Sequence, residues 1–157
     1  MQKSSTQKLV YGALAAALIM VATAFVKIPA LHGYVHAGDG FVFLSAAALG
    51  PFGALAAAIG SMLADLFSGY AIYMLPTFLI KGAMGLMAAR AGKGKLLLRV
   101  ILFALAEGLM VLGYFICDWL LFGFAAALGG IIFNALQGIF GLCLGLLLTF
   151  KIEKFML

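Results

Sequence analysis

Charged residues are scarce in this sequence of 157 residues: they make up 10% of it, whereas 66% is hydrophobic. Soluble domains carry about 25% charged residues, so this chain has too few to form the surface of one. Apolar runs of about 18 residues or more recur along it, and such runs are typical of membrane-spanning helices. The composition therefore excludes a soluble catalytic domain and predicts an integral membrane protein.

The residues that build disulfide, metal or catalytic sites are also few. Cys117 and Cys143 are the two cysteines, and they lack the spacing of a disulfide framework or a metal site. No nucleophile triad, glycine-rich phosphate loop or HExxH motif occurs, so we expect no enzyme, no catalytic residue and no cofactor of its own. The net charge of +5 comes from basic residues between hydrophobic spans, a pattern unlike that of a nucleic-acid-binding surface.

The hydrophobic pattern predicts one domain over residues 1–157 with six helices. Gly50-Pro51 separates the second helix from the third, because proline breaks or restarts a helix. The predicted bounds are 8–28, 39–50, 52–69, 73–91, 96–122 and 125–150. The second helix would be only about 18 Å long, short of the ~30 Å hydrocarbon core, so it begins earlier or is re-entrant.

Basic residues decide between six spans and a five-span alternative in which residues 41–67 form one bent helix. With six spans and a cytoplasmic N-terminus, only Lys27 faces outward. With five spans, most basic residues face outward, against the positive-inside rule. We therefore predict an all-α, multi-pass bundle of six transmembrane helices in the cell membrane, with both termini cytoplasmic.

Polar residues within the predicted spans gather toward the outer side. Ionisable groups are costly in hydrocarbon, and by default they mark a functional site. Counted inward from the outer helix ends, the set is Asp65, Asp118, Lys81, Asn134, Gln137 and Glu107. Small residues one turn away share a face with Asp65, Lys81 and Asn134, which directs these side chains into the bundle. The pattern predicts a polar cavity that opens outward.

The polar segment HGYVHAGDGF at 32–41 follows the first span and is expected to cover this cavity. His32 and His36 are four residues apart, but the glycines around them and the lack of an intervening Glu disfavour a metal site. A loop role or a ligand contact is the remaining alternative for them. Asp39 is expected to cap the helix that begins near Gly40, to contact a ligand, or both.

Other polar and aromatic residues also have two interpretations. Asp65 and Lys81 are at similar depth on neighbouring helices and would pair with each other, bind a ligand, or both. Asn134 and Gln137 suit hydrogen bonds to a heterocycle or between helices. Trp119 is the aromatic side chain most expected to stack on a flat ligand, although aromatics at such depths commonly form the interfacial belt.

The first helix carries small residues at spacings of four, Ala13 with Ala17 and Gly12 with Ala16. Small residues let membrane helices approach closely. They indicate packing inside the bundle or docking to another membrane subunit.

Two segments, YVHAGDGFVFLSAAALGPFGALAAAIGSMLADL (34–66) and PTFLIKGAMGL (76–86), resemble the S components of energy-coupling factor (ECF) vitamin transporters. The riboflavin-type branch is the most similar, and the resemblance covers most of the chain. It implies a prokaryotic subunit that captures a vitamin from outside and delivers it with a transmembrane coupling subunit and two cytoplasmic ATPases, which use the ATP. Ala13 and Ala17 match the family's docking surface.

The resemblance also implies which residues form the site. The loop between the first two helices gates the pocket in this family, and its residues here include His32, Gly33, Tyr34 and Gly38. The expected substrate-binding residues are His36, Asp39, Asp65, Lys81, Trp119, Asn134 and Gln137.

Acids, a lysine and amides in a compact pocket suit a small polar heterocycle. The first prediction is therefore vitamin B6 or a pyrimidine precursor of thiamin, and the second is riboflavin. A self-sufficient transporter or channel and a ligand-free assembly factor are the alternative functions. The lack of an internal repeat and of charge in the inner half disfavours a self-sufficient transporter.

Overall fold

The computed structural model describes residues 5–30, 34–91 and 96–156, with side chains described up to residue 152. Within these ranges the chain forms six α-helices, one 3-10 turn and one antiparallel pair of short strands. The elements are α1 (Ser5–Phe25), β1 (Lys27–Pro29), β2 (Tyr34–His36), α2 (Gly38–Leu49), α3 (Pro51–Phe67), the turn Ala71–Tyr73, α4 (Met74–Ala91), α5 (Leu96–Phe122) and α6 (Phe124–Met156). The predicted all-α class and its six helices are confirmed.

In the described part of the chain, four helical segments are long and apolar enough, by length and composition, to cross a membrane. They are Ser5–Phe25, Ala71–Ala91, Leu96–Phe122 and Phe124–Ile152. The other two helices are shorter: α2 has 12 residues and α3 has 17. The short α2 agrees with the expected difficulty of spanning the hydrocarbon core with residues 39–50.

The first predicted helix ends too late, because the chain leaves α1 at Phe25 and turns into a β-hairpin. Lys27 pairs with His36 and Pro29 with Tyr34 across this hairpin. The hairpin covers one end of the bundle and fills the space above the start of α2. The short α2 does not extend to this end of the bundle, and the hairpin takes the place of a further helical turn there.

The helix α2 lies at the centre of the bundle. Val42 and Phe43 are fully buried, and the Phe43 ring stacks on that of Phe103 with 4.1 Å between the ring centroids. The connection to α3 is a sharp turn at Gly50, whose φ of 64° suits glycine, followed by Pro51 as the first helical residue. These features direct α3 back toward the hairpin end.

Glycine allows the close packing of α3 against α1. A Cβ atom on Gly60 would lie under 3.0 Å from the backbone of Ala16. On the same helix, Ala57, Ser61 and Asp65 are all buried, so the predicted small-and-polar stripe of α3 faces the interior. This packing holds Asp65 at the hairpin end of the bundle.

Candidate functional site

A cavity lies between the helices beneath the hairpin. The space between its lining atoms is about 580 Å³, and this volume includes the open mouth of the cavity. Most of its lining is polar, and these residues are Tyr34, His36, Asp65, Tyr70, Tyr73, Thr77, Tyr114, Asp118, Asn134 and Gln137. The hairpin, the turn Ala71–Tyr73 and the four helices α3, α4, α5 and α6 therefore converge on one polar site.

Two tyrosine–carboxylate pairs shape the cavity walls. Tyr34 donates its hydroxyl hydrogen to Asp65 Oδ1 over 2.7 Å, and Tyr73 donates to Asp118 Oδ1 over 2.6 Å. The second oxygen of Asp65, Oδ2, is buried and has no hydrogen-bond partner in the described part of the chain. These two hydrogen bonds fix the tyrosine rings against the carboxylates at the cavity wall.

Aromatic faces surround these carboxylates. The ring centroid of Tyr34 is 5.2 Å from that of Tyr70 and 5.4 Å from that of His36. Across the cavity, the Thr77 and Tyr114 hydroxyls form a hydrogen bond of 2.9 Å. Tyrosines offer an apolar ring face together with a polar tip, so this lining suits a flat polar ligand.

No lysine or arginine belongs to the described lining of the cavity. Lys81 is completely buried and forms an ion pair with Asp39. Lys27 donates a hydrogen bond to Ser68 Oγ over 2.7 Å, and its ammonium lies 4.6 Å from the centroid of the Tyr34 ring. With two carboxylates and no cation in its lining, the cavity favours an uncharged or cationic molecule over an anion.

A buried network forms the floor of the cavity. Asp39 accepts hydrogen bonds from Lys81 Nζ and, over 2.8 Å, from Gln137 Nε2. Gln137 Oε1 in turn accepts from the backbone N–H of His36 over 3.1 Å. Gln137 therefore links the hairpin to the buried ion pair.

This network corrects two sequence-based predictions. Lys81 pairs with Asp39 and not with Asp65, because α2 passes between the faces of α4 and α6 that carry Lys81 and Gln137. Asp39 does not cap α2: Ala37 occupies the cap position without a side-chain hydrogen bond, and Asp39 is fully buried in the first turn of the helix.

The His36 side chain is held as a neutral imidazole. Burial, with a smaller effect of nearby lysines, lowers the pKa of His36 from 6.5 to about 4, against the opposing effect of Asp39. Its Nδ1 accepts a hydrogen bond from the backbone N–H of Gly38 over 3.0 Å. Near neutral pH the proton is therefore on Nε2, and His36 adds no positive charge to the cavity.

The structure brings most of the predicted site residues together, in two layers. Tyr34, His36, Asp65, Asn134 and Gln137 line the cavity, whereas Asp39 and Lys81 form the floor with Gln137.

Other predicted residues lie elsewhere. Trp119 is 51% exposed and packs on Phe115 and Phe124, away from the lining. Gly38 packs near Thr23 Oγ1 below the hairpin, and His32 and Gly33 are outside the described residues. Their roles stay predictions.

The predicted site lacks several residues that line the cavity. Their spacing in the sequence nevertheless indicates that they share helical faces. Tyr70, Tyr73 and Thr77 recur at spacings of three and four, as do Tyr114 and Asp118. Such spacings place side chains on one helical face, so an inward Asp118 implies an inward Tyr114. Among the described residues, no three His, Cys, Asp or Glu side chains come together as a metal site.

A polar cavity under a hairpin, in a bundle of apolar helices, is an arrangement typical of membrane proteins that bind small molecules. The sequence model of the family "ECF-type riboflavin transporter, S component" matches residues 3–154, and the chain belongs to this family. Its members are transporter subunits and not enzymes. The chain is also 33% identical over 132 residues to a protein of Pyrococcus woesei named "Uncharacterized protein in gap 3'region", covering 82% of this chain and 88% of that protein.

Proposed function

We propose that this protein is the substrate-capturing S component of an ECF transporter for an uncharged or cationic nitrogen heterocycle of vitamin type. The observation that carries the proposal is the cavity lining, in which the described residues combine two carboxylates and four tyrosines with no cationic side chain. Nitrogen heterocycles offer N–H donors to carboxylates and a flat face to tyrosine rings. Vitamins that carry a carboxylate or a phosphate find no compensating charge.

Among such heterocycles, vitamin B6 or a pyrimidine precursor of thiamin is the first choice. Ten of the fourteen lining residues that the structure describes carry a hydrogen-bonding side chain, and Ala30, Val35, Gly130 and Phe133 are the apolar positions. A single ring with polar substituents on several edges suits this distribution better than a tricycle with an apolar edge. Riboflavin is the second choice, and the family description favours it.

The proposed topology has six membrane-crossing segments with both termini in the cytoplasm. In this arrangement the hairpin, the turn Ala71–Tyr73 and the link at Gly123 face outward, so the cavity opens to the exterior. Lys27 is then the single basic residue of the sequence outside, in agreement with the positive-inside rule. The short α2 crosses together with the hairpin above it.

The proposed partners are a transmembrane coupling subunit and two ATPases, which supply the energy for delivery. In α1, Gly12 packs against Phe52 and Ala16 against Gly60, whereas Ala13 and Ala17 are exposed. The first pair therefore serves packing inside the bundle. The second pair is available for docking to the coupling subunit.

Bulky residues on this exposed pair should separate capture from delivery. For the variant Ala13→Trp/Ala17→Trp, we expect unchanged ligand affinity but at least a tenfold loss of uptake and of co-purification with the coupling subunit. Leu18→Trp is the matched control, because Leu18 is exposed on another side of α1. Equal uptake by both variants would contradict docking through Ala13 and Ala17.

Charge selection by the cavity can be measured with vitamins and their phosphate esters. Calorimetric titration of the purified protein should show pyridoxine binding at least about 100-fold more tightly than pyridoxine 5'-phosphate, since like charges brought together cost several kcal/mol. Riboflavin and its 5'-phosphate provide the same comparison for the second choice. Tighter binding of either phosphate ester would refute the proposed substrate class.

A further inference from the structure

Glu107 is a buried acid that lies below the cavity and does not line it. It is near the middle of α5 and is 5% exposed, and neither of its carboxylate oxygens has a hydrogen-bond partner among the described residues. An ionised carboxylate without a partner is very costly in such a place. Its charge must therefore be neutralised.

Within the described ranges, no salt bridge reaches Glu107. On α6 it faces Gly138 and Gly141, and a Cβ atom on Gly141 would lie under 3.0 Å from both Glu107 Oε1 and Asp39 Cβ. The two acidic side chains are thus neighbours across these glycines. The nearby ammonium, that of Lys81 on α4, is already paired with Asp39.

We propose that Glu107 is a buried proton-binding site that is occupied while the ion pair between Asp39 and Lys81 is intact. With the proton in place, the cluster of two acids and one lysine is electrically neutral. Loss of the proton would place a second carboxylate beside Asp39, in competition for Lys81. Because Gln137 connects Asp39 to the backbone of His36, this competition would loosen the attachment of the hairpin.

The proton is directly observable by infrared spectroscopy of the purified full-length protein. A protonated carboxylic acid has a carbonyl stretching band that a carboxylate lacks. We expect wild-type protein at neutral pH to show this band and Glu107→Gln to lose it. Asp65→Asn is the matched control, because Asp65 is also buried with an unpartnered oxygen, and it should keep the Glu107 band.

Thermal unfolding at a series of pH values adds a second readout. As the pH rises above about 4.3, the ordinary pKa of a glutamate, the wild-type midpoint should fall, because the unfolded chain releases the Glu107 proton that the folded protein retains. Glu107→Gln should lose most of this dependence and unfold at or above the wild-type midpoint at neutral and alkaline pH, since its amide mimics the neutral acid but has no proton to release on unfolding.

The proposal is overturned if wild-type protein lacks the carboxylic acid band, or if the band is equally strong in Glu107→Gln. The wild-type spectrum decides the first point even if the variant fails to fold. Neither measurement uses a ligand or a partner subunit. Failure here would therefore leave the proposed vitamin capture standing, and failure of vitamin binding would leave the proton site standing.

Discussion

Replacing Lys81 with methionine should lower the free energy of unfolding by about 3–5 kcal/mol, the usual cost of breaking a buried ion pair from one side. Methionine fills a similar volume, but it leaves the Asp39 carboxylate fully buried with Gln137 as its remaining partner. The loss is measured by denaturant or thermal unfolding in detergent micelles. It should appear without any ligand, because Lys81 belongs to the floor and not to the lining.

The double variant Asp39→Asn/Lys81→Met is the control for this prediction. It removes both charges, so most of the lost stability should return, since a buried pair contributes little net stability when both partners are replaced. Equal stability of Lys81→Met and the wild type would show that Asp39 does not depend on this lysine. If the single and double variants lose the same free energy of unfolding, the loss comes from the changed shape of the side chain at position 81 and not from an unpaired charge.

Asp65→Asn and Asp118→Asn should each weaken ligand binding by roughly 10- to 100-fold, with the largest loss in the double variant. Hydrogen bonds to charged groups contribute about 1.5–3 kcal/mol, and about 1.4 kcal/mol corresponds to a factor of ten. Asparagine keeps a carbonyl oxygen for the tyrosine hydroxyls, so the walls should retain their shape. Calorimetric titration with pyridoxine and riboflavin measures the change.

Trp119→Phe is the matched control, since Trp119 lies among Phe115 and Phe124 and not in the cavity lining. It should bind ligand with wild-type affinity. Loss of binding in Trp119→Phe, with wild-type affinity in both asparagine variants, would place the ligand outside the cavity.

The depth and direction of single residues follow from the sequence, whereas their partners do not. Rise per residue and the spacing of small residues place Asp65 and Lys81 inside the bundle near one end. Whether Lys81 of α4 pairs with Asp65 of α3 or with Asp39 of α2 depends on which of these two helices packs against that face of α4. Nothing local to α2 indicates that it is central and that Asp39 therefore lies deep.

The hairpin and Trp119 illustrate two further limits. Three-residue strands among glycines have too little pattern to distinguish them from a loop, so only tertiary contacts define the hairpin. For Trp119, in contrast, the sequence itself indicates that the side chain points away from the cavity. Consecutive residues on a helix point about 100° apart, so an inward Asp118 turns Trp119 away from the cavity.

The most direct test of the account is mass spectrometry of small molecules released by denaturing the purified protein after exposure to a mixture of B vitamins. We expect one nitrogen heterocycle without phosphate or carboxylate, bound near one molecule per chain and retained far less by Asp65→Asn/Asp118→Asn. Release of an anionic vitamin, or retention that is the same in wild-type and variant protein, would contradict capture in this cavity.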